Sequence, residues 1–348
     1  MQHKYDNLIF IGRFQPPHNG HLQVILQALT LAQHVVVVIG SANKPRSLRN
    51  PFTDAERLAM ILAAVADADA SAAGRLRFVS VRDYYDDVRW LAAVEDAVLS
   101  TIGETAGRVG VIGHLKDASS GYLRGFQRWP LVEVQNTQGL SSTDLRAVFF
   151  SSSADAADRE VLANAVPPAV LAFLEAFSAL PAFQELVEAH AWAQRERAKW
   201  PRTPYPVIGN TVDAVVRCRG HVLMIKRRDH PGRGLWALPG GYVEEYELLK
   251  TAVLRELEEE TRLGMKPAQL EPYLLATHTF DYPWRSQRGR VITQAYYFEL
   301  DLPEPPRVSG GDDAAEAQWI AQAELPGLEA SIHDDHLHII EHFLSSSA

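Results

Sequence analysis

The sequence predicts an α/β protein with two domains, the first built around a parallel β-sheet and the second richer in strands. Up to about residue 150, short apolar runs alternate with amphipathic stretches, which is typical of repeated βαβ units. A proline-rich segment at 200–206 then interrupts any helix, and the pattern from Thr211 onward is rich in strand-forming residues. The 348 residues also exceed what one hydrophobic core usually serves.

Five apolar runs are predicted as the strands of the first sheet: 8–11, 35–39, 76–81, 109–112 and 131–134. Helices are expected between them. One should begin at Thr53, because Thr53 and Glu56 have the spacing of a capping box, in which two side chains satisfy two backbone donors. Another is expected after the hydroxyl-bearing residues 141–143, and the Ala-, Leu- and Glu-rich stretch 152–200 is predicted to be helical.

These patterns also predict the domain boundaries. The first domain spans 1–185, a linker spans 186–206 and the second domain spans 207–348. The second domain is expected to open with a β-hairpin, in which the runs 212–217 and 221–226 flank the turn Arg219-Gly220.

Composition restricts the partners of the protein. The formal net charge of −9 and the isoelectric point near 5.8 argue against a general binder of nucleic acid or of an anionic membrane surface. The single cysteine, Cys218, excludes an internal disulfide and a cysteine-based zinc cluster. The opening residues carry no apolar signal segment and no run reaches membrane-spanning length, so we expect a cytoplasmic protein.

The segment directly after the first strand, from Gly12 to His21, reads Gly-Arg-Phe-Gln-Pro-Pro-His-Asn-Gly-His. A helix is expected to open near Asn19, with its free N–H groups and the positive end of its dipole facing this turn. His18 and His21 are three residues apart, so both imidazoles are expected on one face of the first turn. Two such donors can stabilise charge that develops on a phosphoryl group during transfer.

A second helix start is expected after the fifth strand, where residues 141–146 read Ser-Ser-Thr-Asp-Leu-Arg. The carboxyl ends of parallel strands share one edge of a sheet, so this helix start can face the first one across bound phosphates. Arg146 would then place a planar fork of positive charge on the β and γ phosphates of ATP.

In these motifs the first domain resembles the archaeal-type nicotinamide mononucleotide (NMN) adenylyltransferases of the nucleotidyltransferase superfamily, which implies a Rossmann-like fold. The resemblance also includes Gly40-Ser41-Ala42, the run 47–53 with Glu56-Arg57, and Trp90. It covers nearly all of residues 6–150.

The resemblance also implies the roles of individual residues. Phosphates of ATP would be held by Arg13, His18, His21 and Arg146. Arg49 would assist at the phosphates of ATP or NMN, and Trp90 would stack on the nicotinamide ring. The remaining members of the implied nucleotide site are Gly12, Phe14, Ser142 and Thr143. Asp87 stands where relatives are expected to have Asn.

Three glutamates of the second domain, Glu256, Glu259 and Glu260, are spaced so that a helix would place them on one face. Such crowding is costly unless a cation is bound, and carboxylate oxygens favour Mg²⁺ or Mn²⁺. The preceding Gly240-Gly241 turn can bring a backbone carbonyl, which we assign to Gly240, to the same ion.

From Gly241 to Leu263 the sequence resembles the Nudix box at all fixed positions except one, since Arg262 stands where a glycine is expected. The resemblance implies an α/β/α fold with a mixed sheet, and hydrolysis of a nucleoside diphosphate linked to another group. Glu259 is expected to act in catalysis. Arg255 is expected to orient Glu247 through a bidentate pair.

Aromatic and basic side chains follow between residues 280 and 290. Stacking surfaces are offered by Phe280, Tyr282 and Trp284, and contacts to phosphate or carboxylate by Arg285, Arg288 and Arg290. Of these, we expect Phe280, Arg288 and Arg290 to contact the substrate of the second domain.

Four histidines lie near the C-terminus, at positions 333, 336, 338 and 342. A metal site is one interpretation. However, Leu337, Ile340 and Leu344 form an apolar stripe at helical spacing, so we expect a docking helix with exposed histidines.

The union of the two domains resembles bacterial bifunctional enzymes of NAD metabolism. We expect NMN and ATP to give NAD and pyrophosphate in the first domain, and ADP-ribose to give AMP and ribose 5-phosphate in the second, with Mg²⁺ or Mn²⁺ at both sites. Two alternatives stay open: another acceptor such as pantetheine phosphate or FMN, and a second domain that senses ADP-ribose or NAD without hydrolysis. We expect these small molecules as partners, no nucleic acid and no membrane, with a homo-oligomer as an open possibility.

Overall fold

The computed structural model describes residues 3–103, 107–114, 122–135, 139–151, 156–199 and 206–345. The chain divides into two compact units, Met1–His190 and Ala191–Ala348. Each unit has its own β-sheet and its own hydrophobic core.

The first unit contains a five-stranded parallel sheet. Its strands are β1 (Tyr5–Gly12), β2 (Ala32–Ile39), β3 (Leu76–Ser80), β4 (Val109–Gly113) and β5 (Leu131–Glu133). The order β3-β2-β1-β4-β5 places β1 at the centre, between β2 and β4. All five predicted strands and the Rossmann-like class of this unit are therefore confirmed.

The helices described from here to residue 199 are α1 (Asn19–Leu31), α2 (Asp54–Ala68), α3 (Asp87–Ile102), α4 (Ser142–Phe149), α5 (Ala156–Ala165), α6 (Pro168–Ser178) and α7 (Pro181–Lys199). The helix starts predicted at Thr53 and after residue 141 are confirmed. Thr53 Oγ1 accepts from the Glu56 N–H at 3.3 Å, and Glu56 Oε2 accepts from the Thr53 N–H at 2.8 Å, which is the predicted capping box. The predicted linker 186–206 is helical as far as Lys199, and 200–205 lie outside the described residues.

The first sheet is apolar on both faces because helices cover both of them. Leu8 packs in a core cluster that includes Ile25 of α1, whereas its neighbour Ile9 packs in a cluster that includes Val94 of α3. All four side chains are buried. This arrangement leaves the carboxyl ends of the strands as the edge at which a ligand can bind.

Helices α5 to α7 add a further apolar cluster, in which Phe177 of α6 packs with Phe52 and with Met60 of α2. Among the described residues, no individual helix combines the length and apolar character needed to cross a membrane. The segments Pro168–Ser178 and Pro181–Glu196 pass that test only as a pair, with a bend of 83° between them.

The second unit contains a mixed sheet. Its strands are β6 (Gly209–Cys218), β7 (His221–Arg227), β8 (Trp236–Ala237), β9 (Gly240–Tyr242), β10 (Leu274–Phe280), β11 (Val291–Leu300) and β12 (Ala314–Ala321). The main order is β10-β11-β6-β7-β12, with β8 beside β7 and β9 beside β6. The pair β11 and β6 is parallel and the other pairs are antiparallel, so the predicted mixed sheet is confirmed.

The helices described in this unit are α8 (Leu249–Thr261), α9 (Pro267–Leu270) and α10 (His336–Ser345). Val253 of α8 packs in a core cluster with Val212 of β6, while Ile339 of α10 packs in a different cluster with Val215 of the same strand. Because adjacent strand residues point to opposite faces, α8 and α10 cover opposite faces of the sheet. The α/β/α class is confirmed.

The predicted hairpin is also confirmed, since β6 and β7 meet at Arg219-Gly220. Both turn residues have positive φ, 48° and 74°, as a two-residue hairpin turn requires. Cys218, at the end of β6, is fully buried, and burial raises the pKa of its thiol. A thiol reacts as the thiolate, so both the burial of Cys218 and its raised pKa protect it from reaction.

Replacement of Thr53 by Ala should lower the free energy of unfolding of the first unit by about 1 kcal/mol, because the Glu56 N–H loses its acceptor at the start of α2. Thr53→Ser keeps that acceptor and should stay near wild type. Urea denaturation followed by circular dichroism measures both. Equal losses in the two variants would assign the effect to the threonine methyl group instead of the cap.

Candidate active sites

The loop after β1 is shaped by a close contact between Gly12 and Phe14. Phe14 has a left-handed backbone, with φ of 52°, and is 1% exposed. A Cβ atom on Gly12 would lie 2.8 Å from the Phe14 ring, so only glycine fits there. The ring also lies edge-on to His21, at 4.9 Å between centroids. The Phe14 ring therefore packs beneath the loop, and the assignment of Phe14 to the nucleotide site stays a prediction.

His18 and His21 meet at the start of α1, as their spacing predicted. Their rings are stacked, with centroids 3.7 Å apart and planes at 25°. Nδ1 of His21 accepts a hydrogen bond from the backbone N–H of His18 at 3.2 Å. A neutral imidazole that accepts at Nδ1 carries its proton on Nε2, so His21 can donate from Nε2.

His21 is held in the neutral form. Burial, followed by the nearby imidazoles of His18 and His114, lowers its pKa well below the usual value. His114 directly follows β4, whose carboxyl end lies beside that of β1. A bound phosphate would offset the repulsion among these imidazoles, because an opposite charge favours the protonated form.

Arg146 is engaged with the protein itself. It is 7% exposed and donates to the backbone oxygens of Leu48 at 2.9 Å, Gln15 at 2.8 Å and Ser142 at 3.1 Å, and to Thr143 Oγ1 at 3.2 Å. These bonds use most of its N–H donors. Arg146 therefore ties α4 to the loop that follows β1, and its contact with the phosphates of ATP stays a prediction.

Arg57 of α2, to which the sequence analysis gave no role, holds the other side of the same loop. Its side chain is 1% exposed. It donates to the backbone oxygens of Arg13 at 2.8 Å, Gly40 at 2.6 Å and Ser41 at 3.3 Å. One buried guanidinium therefore joins the carboxyl ends of β1 and β2.

Positive charge is concentrated around this loop. Burial, followed by repulsion from Arg13 and Arg49, lowers the pKa of Arg146 to about 10. Arg13 and Arg49 thus each lie close enough to Arg146 to repel it, at the same sheet edge as the N-terminus of α1. Ser142 also belongs to this edge, since its Oγ donates to the backbone oxygen of Pro16 at 3.0 Å. Such an arrangement is stabilised by a polyanion.

Trp90 lies in the first turn of α3, three residues after Asp87, which is exposed. The indole is partly buried, with its centroid 5.3 Å from that of Tyr122 and 6.1 Å from that of Phe126. The ring therefore packs on the first unit's core while part of its surface stays open to solvent.

A second candidate site joins α8 to the Gly240-Gly241 turn. Gly240 donates its backbone N–H to Glu260 Oε2 at 2.8 Å. A Cβ atom on Gly241 would lie 2.4 Å from Oε1 of Glu256. Both carboxylates therefore rest directly on the turn, and a side chain at Gly241 would displace the carboxylate of Glu256.

Arg255 organises the acidic groups of this site. Its Nε and Nη2 donate to the two oxygens of Glu247 at 2.9 and 2.8 Å, so the structure contains the bidentate pair that was expected. Its Nη1 donates to Glu256 at 2.9 Å and to Glu259 at 3.0 Å. One guanidinium therefore fixes three carboxylates around α8.

These carboxylates fit a divalent cation. Burial raises the pKa of Glu260 to about 8, and the neighbouring Glu256 adds to the shift. Burial also raises the pKa of Glu256, with smaller contributions from Glu259 and Asp312. A divalent cation would supply the missing positive charge, and oxygen ligands suit Mg²⁺ or Mn²⁺. The residues that would hold it are Glu256, Glu259 and Glu260, with the carbonyl of Gly240 as the expected fourth ligand.

The loop 281–290 between β10 and β11 carries two arginines that were expected to contact substrate. The guanidinium of Arg288 lies over the ring of Tyr242, 5.5 Å from its centroid, and Tyr242 adjoins the Gly240-Gly241 turn. Arg290 donates to the backbone oxygen of Asp281 and so closes the base of the loop. Arg288 is therefore the one of the two that the structure brings to the second site.

Phe280 does not offer a stacking surface, which corrects that expectation. Its ring is 7% exposed and lies 5.3 Å from the His342 ring and 6.3 Å from the Phe343 ring. The strand β10 ends there on the face that α10 covers, so the ring belongs to the core.

The C-terminal helix was predicted correctly, but the exposure of its histidines was not. His333, His336 and His338 are 3%, 9% and 9% exposed. Nδ1 of His336 accepts from the Leu238 N–H at 2.8 Å. His336 and His338 are buried because α10 lies directly on the sheet. The face of α10 that packs there is wider than the stripe predicted from the apolar residues alone, and it includes both histidines.

Arg227, at the end of β7, is a residue of the second site that the sequence analysis missed. Burial and repulsion from Arg288 lower its pKa, and attraction to Asp334 and Glu260 partly opposes this shift. Arg227 thus lies close to both Arg288 and the acidic groups of α8. The sequence signal that could have identified Arg227 is its positive charge at the end of an apolar strand, where the edge of a sheet can face a ligand.

Two domain models match the chain: a cytidylyltransferase-like domain over residues 9–148 and a NUDIX domain over residues 208–343. A nicotinamide/nicotinic acid mononucleotide adenylyltransferase from Acinetobacter baylyi is 35% identical over 54% of this chain and 95% of its own length. An ADP-ribose pyrophosphatase from Methanocaldococcus jannaschii is 32% identical over 43% of this chain and 80% of its own length.

Solved structures match the whole chain. Two crystal structures of a bifunctional NMN adenylyltransferase/ADP-ribose pyrophosphatase from Francisella tularensis cover 99% of this chain and 100% of theirs. Their TM-scores are 0.89 and 0.88, at 31% and 30% identity. The second of them is complexed with AMP and a manganese ion.

The raised pKa of Glu260 predicts how stability depends on pH in metal-free protein. Its carboxyl is protonated in the folded chain up to about pH 8, but only up to its ordinary value of 4.5 in the unfolded chain. Its contribution to stability is therefore complete below pH 4.5 and is lost as the pH rises towards 8, by about 1 kcal/mol per pH unit. Glu260→Gln removes this loss.

The melting temperature of metal-depleted Glu260→Gln should therefore exceed that of wild type by a margin that grows from pH 5.5 to pH 8, roughly the window of the titration. Differential scanning calorimetry in the presence of a chelator measures it. Glu244→Gln, which alters an exposed carboxylate, is the matched control and should show no such trend. A margin that is independent of pH would contradict the assignment.

Proposed function

We infer the chemistry of each unit from one premise, namely that the chain belongs to the family of bifunctional NMN adenylyltransferase/ADP-ribose pyrophosphatase proteins. The first unit transfers the adenylyl group of ATP to NMN, giving NAD and pyrophosphate. The second unit hydrolyses ADP-ribose to AMP and ribose 5-phosphate. The observation that carries this conclusion is the charge of the two sites: clustered guanidinium and imidazole groups in one, and crowded carboxylates in the other.

In the first unit, a phosphate oxygen of NMN attacks the α-phosphorus of ATP, and the bond to the bridging oxygen of the leaving pyrophosphate breaks. We assign His21 to donate from Nε2 to phosphoryl oxygens, with His18 beside it and the N-terminus of α1 behind it. Arg13 and Arg49 supply the positive charge. In this tautomer the neutral imidazole of His21 acts as a hydrogen-bond donor. The transfer therefore needs no covalent bond between the substrate and the protein.

Arg57 and Arg146 also position the groups of this site. Each donates to backbone oxygens of the loop that follows β1, and their bonds reach both neighbouring segments. They therefore hold Arg13 and the histidines at fixed positions. A site of fixed donors stabilises charge that develops during transfer without the cost of reorganising them.

In the second unit, a water molecule attacks one phosphorus of the diphosphate of ADP-ribose, and the bond to the bridging oxygen breaks. A bound divalent metal would neutralise phosphate charge and favour ionisation of the water. Arg255 keeps Glu247 and Glu259 in place, and Glu259, as the exposed carboxylate of the three on α8, is assigned to catalysis. Arg288 and Arg227 are assigned to the diphosphate.

We propose Mg²⁺ or Mn²⁺ at both sites, with ATP as a substrate of the first. The acidic groups around α8 support a divalent metal in the second unit, and the Francisella complex contains a manganese ion. We further propose a cytoplasmic enzyme that binds these small molecules and neither nucleic acid nor membranes, which the net charge of −9 supports. Self-association stays an open proposal.

The two alternatives differ in what they require. A first unit that used pantetheine phosphate or FMN would have no need of an aromatic ring for a pyridinium cation, so the partly open Trp90 favours NMN. A second unit that only sensed ADP-ribose would have no need of three crowded carboxylates on α8. Their retention, held by Arg255, favours hydrolysis.

We expect His21→Ala to lower the rate of NAD synthesis from NMN and ATP on the order of a hundredfold or more, because a fixed donor to the phosphoryl group is lost. Hydrolysis of ADP-ribose should stay near the wild-type rate, since the two sites belong to different units. Chromatography of the products measures both rates in one preparation.

The reciprocal variant is Glu259→Gln, which keeps size and helix propensity but removes a charge from α8. It should lose most ADP-ribose hydrolysis over a full Mg²⁺ titration while NAD synthesis persists. If Glu259→Gln hydrolyses ADP-ribose at the wild-type rate, the metal assignment is wrong and the sensor alternative is favoured. If His21→Ala loses both activities in a folded protein, the division of labour between units is wrong.

Trp90→Ala should raise the KM for NMN far more than the KM for ATP, because only the nicotinamide ring is expected over the indole. Loss of a stacked aromatic corresponds to roughly 1 to 3 kcal/mol of binding. Trp90→Phe keeps the contacts with Tyr122 and Phe126 in part, so its KM for NMN should lie between those of wild type and Trp90→Ala. Equal increases in both KM values would assign Trp90 to the core alone.

A further inference from the structure

Three buried charged side chains lie behind the second site, and we call them the buried ion cluster: Asp213, Arg285 and Asp335, which are 5%, 6% and 1% exposed. Nε and Nη2 of Arg285 donate to the two oxygens of Asp335 at 2.9 Å each. Nη2 also lies 3.8 Å from Oδ2 of Asp213, which accepts from Thr293 Oγ1 at 2.6 Å. One guanidinium thus joins β6, the loop 281–290 and the start of α10.

The buried ion cluster contacts the Gly240-Gly241 turn, which we call the metal-binding turn, through Asp213. Asp213 pairs with Gly240 across β6 and β9, and a Cβ atom on Gly240 would lie 2.8 Å from Asp213 Oδ1. Gly240 in turn donates its N–H to Glu260 at 2.8 Å. A continuous series of contacts therefore connects Arg285 to a carboxylate of the site.

Arg285 is also the buried anchor of an otherwise exposed loop. Tyr282 and Trp284 on the same loop are 43% and 66% exposed. Arg288 lies 5.5 Å from the centroid of the Tyr242 ring. A second tie joins Gln287 Nε2 to Asp334 Oδ1 at 3.1 Å, just before α10. The loop is therefore held on one side by the buried ion cluster and reaches β9 on the other.

Stability alone does not account for these charges. Two carboxylates share one guanidinium, and Arg227 and Arg288 also attract the Asp213 carboxylate. Burial of ions costs several kcal/mol per ion, and apolar replacement of a buried ion pair is often neutral or stabilising. What a bidentate guanidinium adds is a fixed direction, because both N–H groups must point at both carboxylate oxygens.

We propose that Arg285 is a positioning residue of the hydrolase, which fixes the loop 281–290 relative to the metal-binding turn. Arg288 and the exposed aromatic side chains of the loop then meet the nucleoside diphosphate in one orientation. This inference rests on the proposed hydrolase function. Arg285 is too buried to touch substrate, so its replacement weakens binding of the substrate more than it slows the reaction of bound substrate.

The test variant is Arg285→Lys, which keeps the charge and loses the planar fork, while Thr293 still donates to Asp213 beside the turn. The KM for ADP-ribose should rise about tenfold or more, as expected for loss of a charged hydrogen bond, with kcat changed much less. NAD synthesis by the first unit should not change. Arg217→Lys is the matched control, because Arg217 pairs with Glu299 at 3.1 Å in the same sheet and away from the loop.

An unchanged KM in Arg285→Lys overturns the proposal. So does a fall in kcat with no rise in KM, or an equal rise in KM in Arg217→Lys, since either would mean a general effect on the fold. If circular dichroism shows that Arg285→Lys does not fold, the double variant Arg285→Leu with Asp335→Leu replaces it, and its KM decides in the same way.

A wild-type protein that does not hydrolyse ADP-ribose would overturn the proposed function without deciding this inference. Calorimetric titration with ADP-ribose, which such a protein would leave intact, then decides it. ADP-ribose that binds Arg285→Lys about tenfold more weakly than wild type supports the positioning role, and equal affinity overturns it.

Discussion

Both sites depend on places where the main chain comes so close to a side chain that a residue larger than glycine would displace it. The ring of Phe14 occupies the space beside Gly12, and the carboxylate of Glu256 occupies the space beside Gly241. Such contact removes the freedom of the side chain and of the backbone together. Donors and acceptors of each site thereby share one rigid frame, and the strands and helices around it serve to keep that frame in place.

The two units use buried arginines in opposite electrostatic ways. Arg57 and Arg146 donate chiefly to backbone oxygens, which carry partial charges, so the neighbourhood of the first site stays positive and suits phosphates. In the second unit, Arg255 and Arg285 each face more than one carboxylate, and the crowded carboxylates on α8 suit a cation. The partners of a buried guanidinium, more than its own charge, decide which ligand the site attracts.

Local patterns in the sequence predicted much of this molecule. Apolar runs located the five parallel strands, Thr53 and Glu56 located a helix start, and the spacing of the glutamates on α8 placed them on one face. These features depend on residues a few positions apart. The failures concern Phe280 and the histidines near the C-terminus, whose environment is set by residues far away in sequence, as when Leu238 donates to His336. Asp213 was also noticeable in the sequence, because it is a charged residue within an apolar strand. Its partners Arg285 and Asp335 could not be found without the fold.

The buried Cys218 makes the protein a convenient background for site-directed labelling. Its side chain has no measurable exposure, and burial raises the pKa of the thiol, so maleimide reagents have no reactive native target in the folded chain. A cysteine introduced on the surface of each unit would thus accept a spin label or a fluorophore without prior removal of Cys218. Distances between two such labels can report whether nucleotide binding in one unit changes its separation from the other.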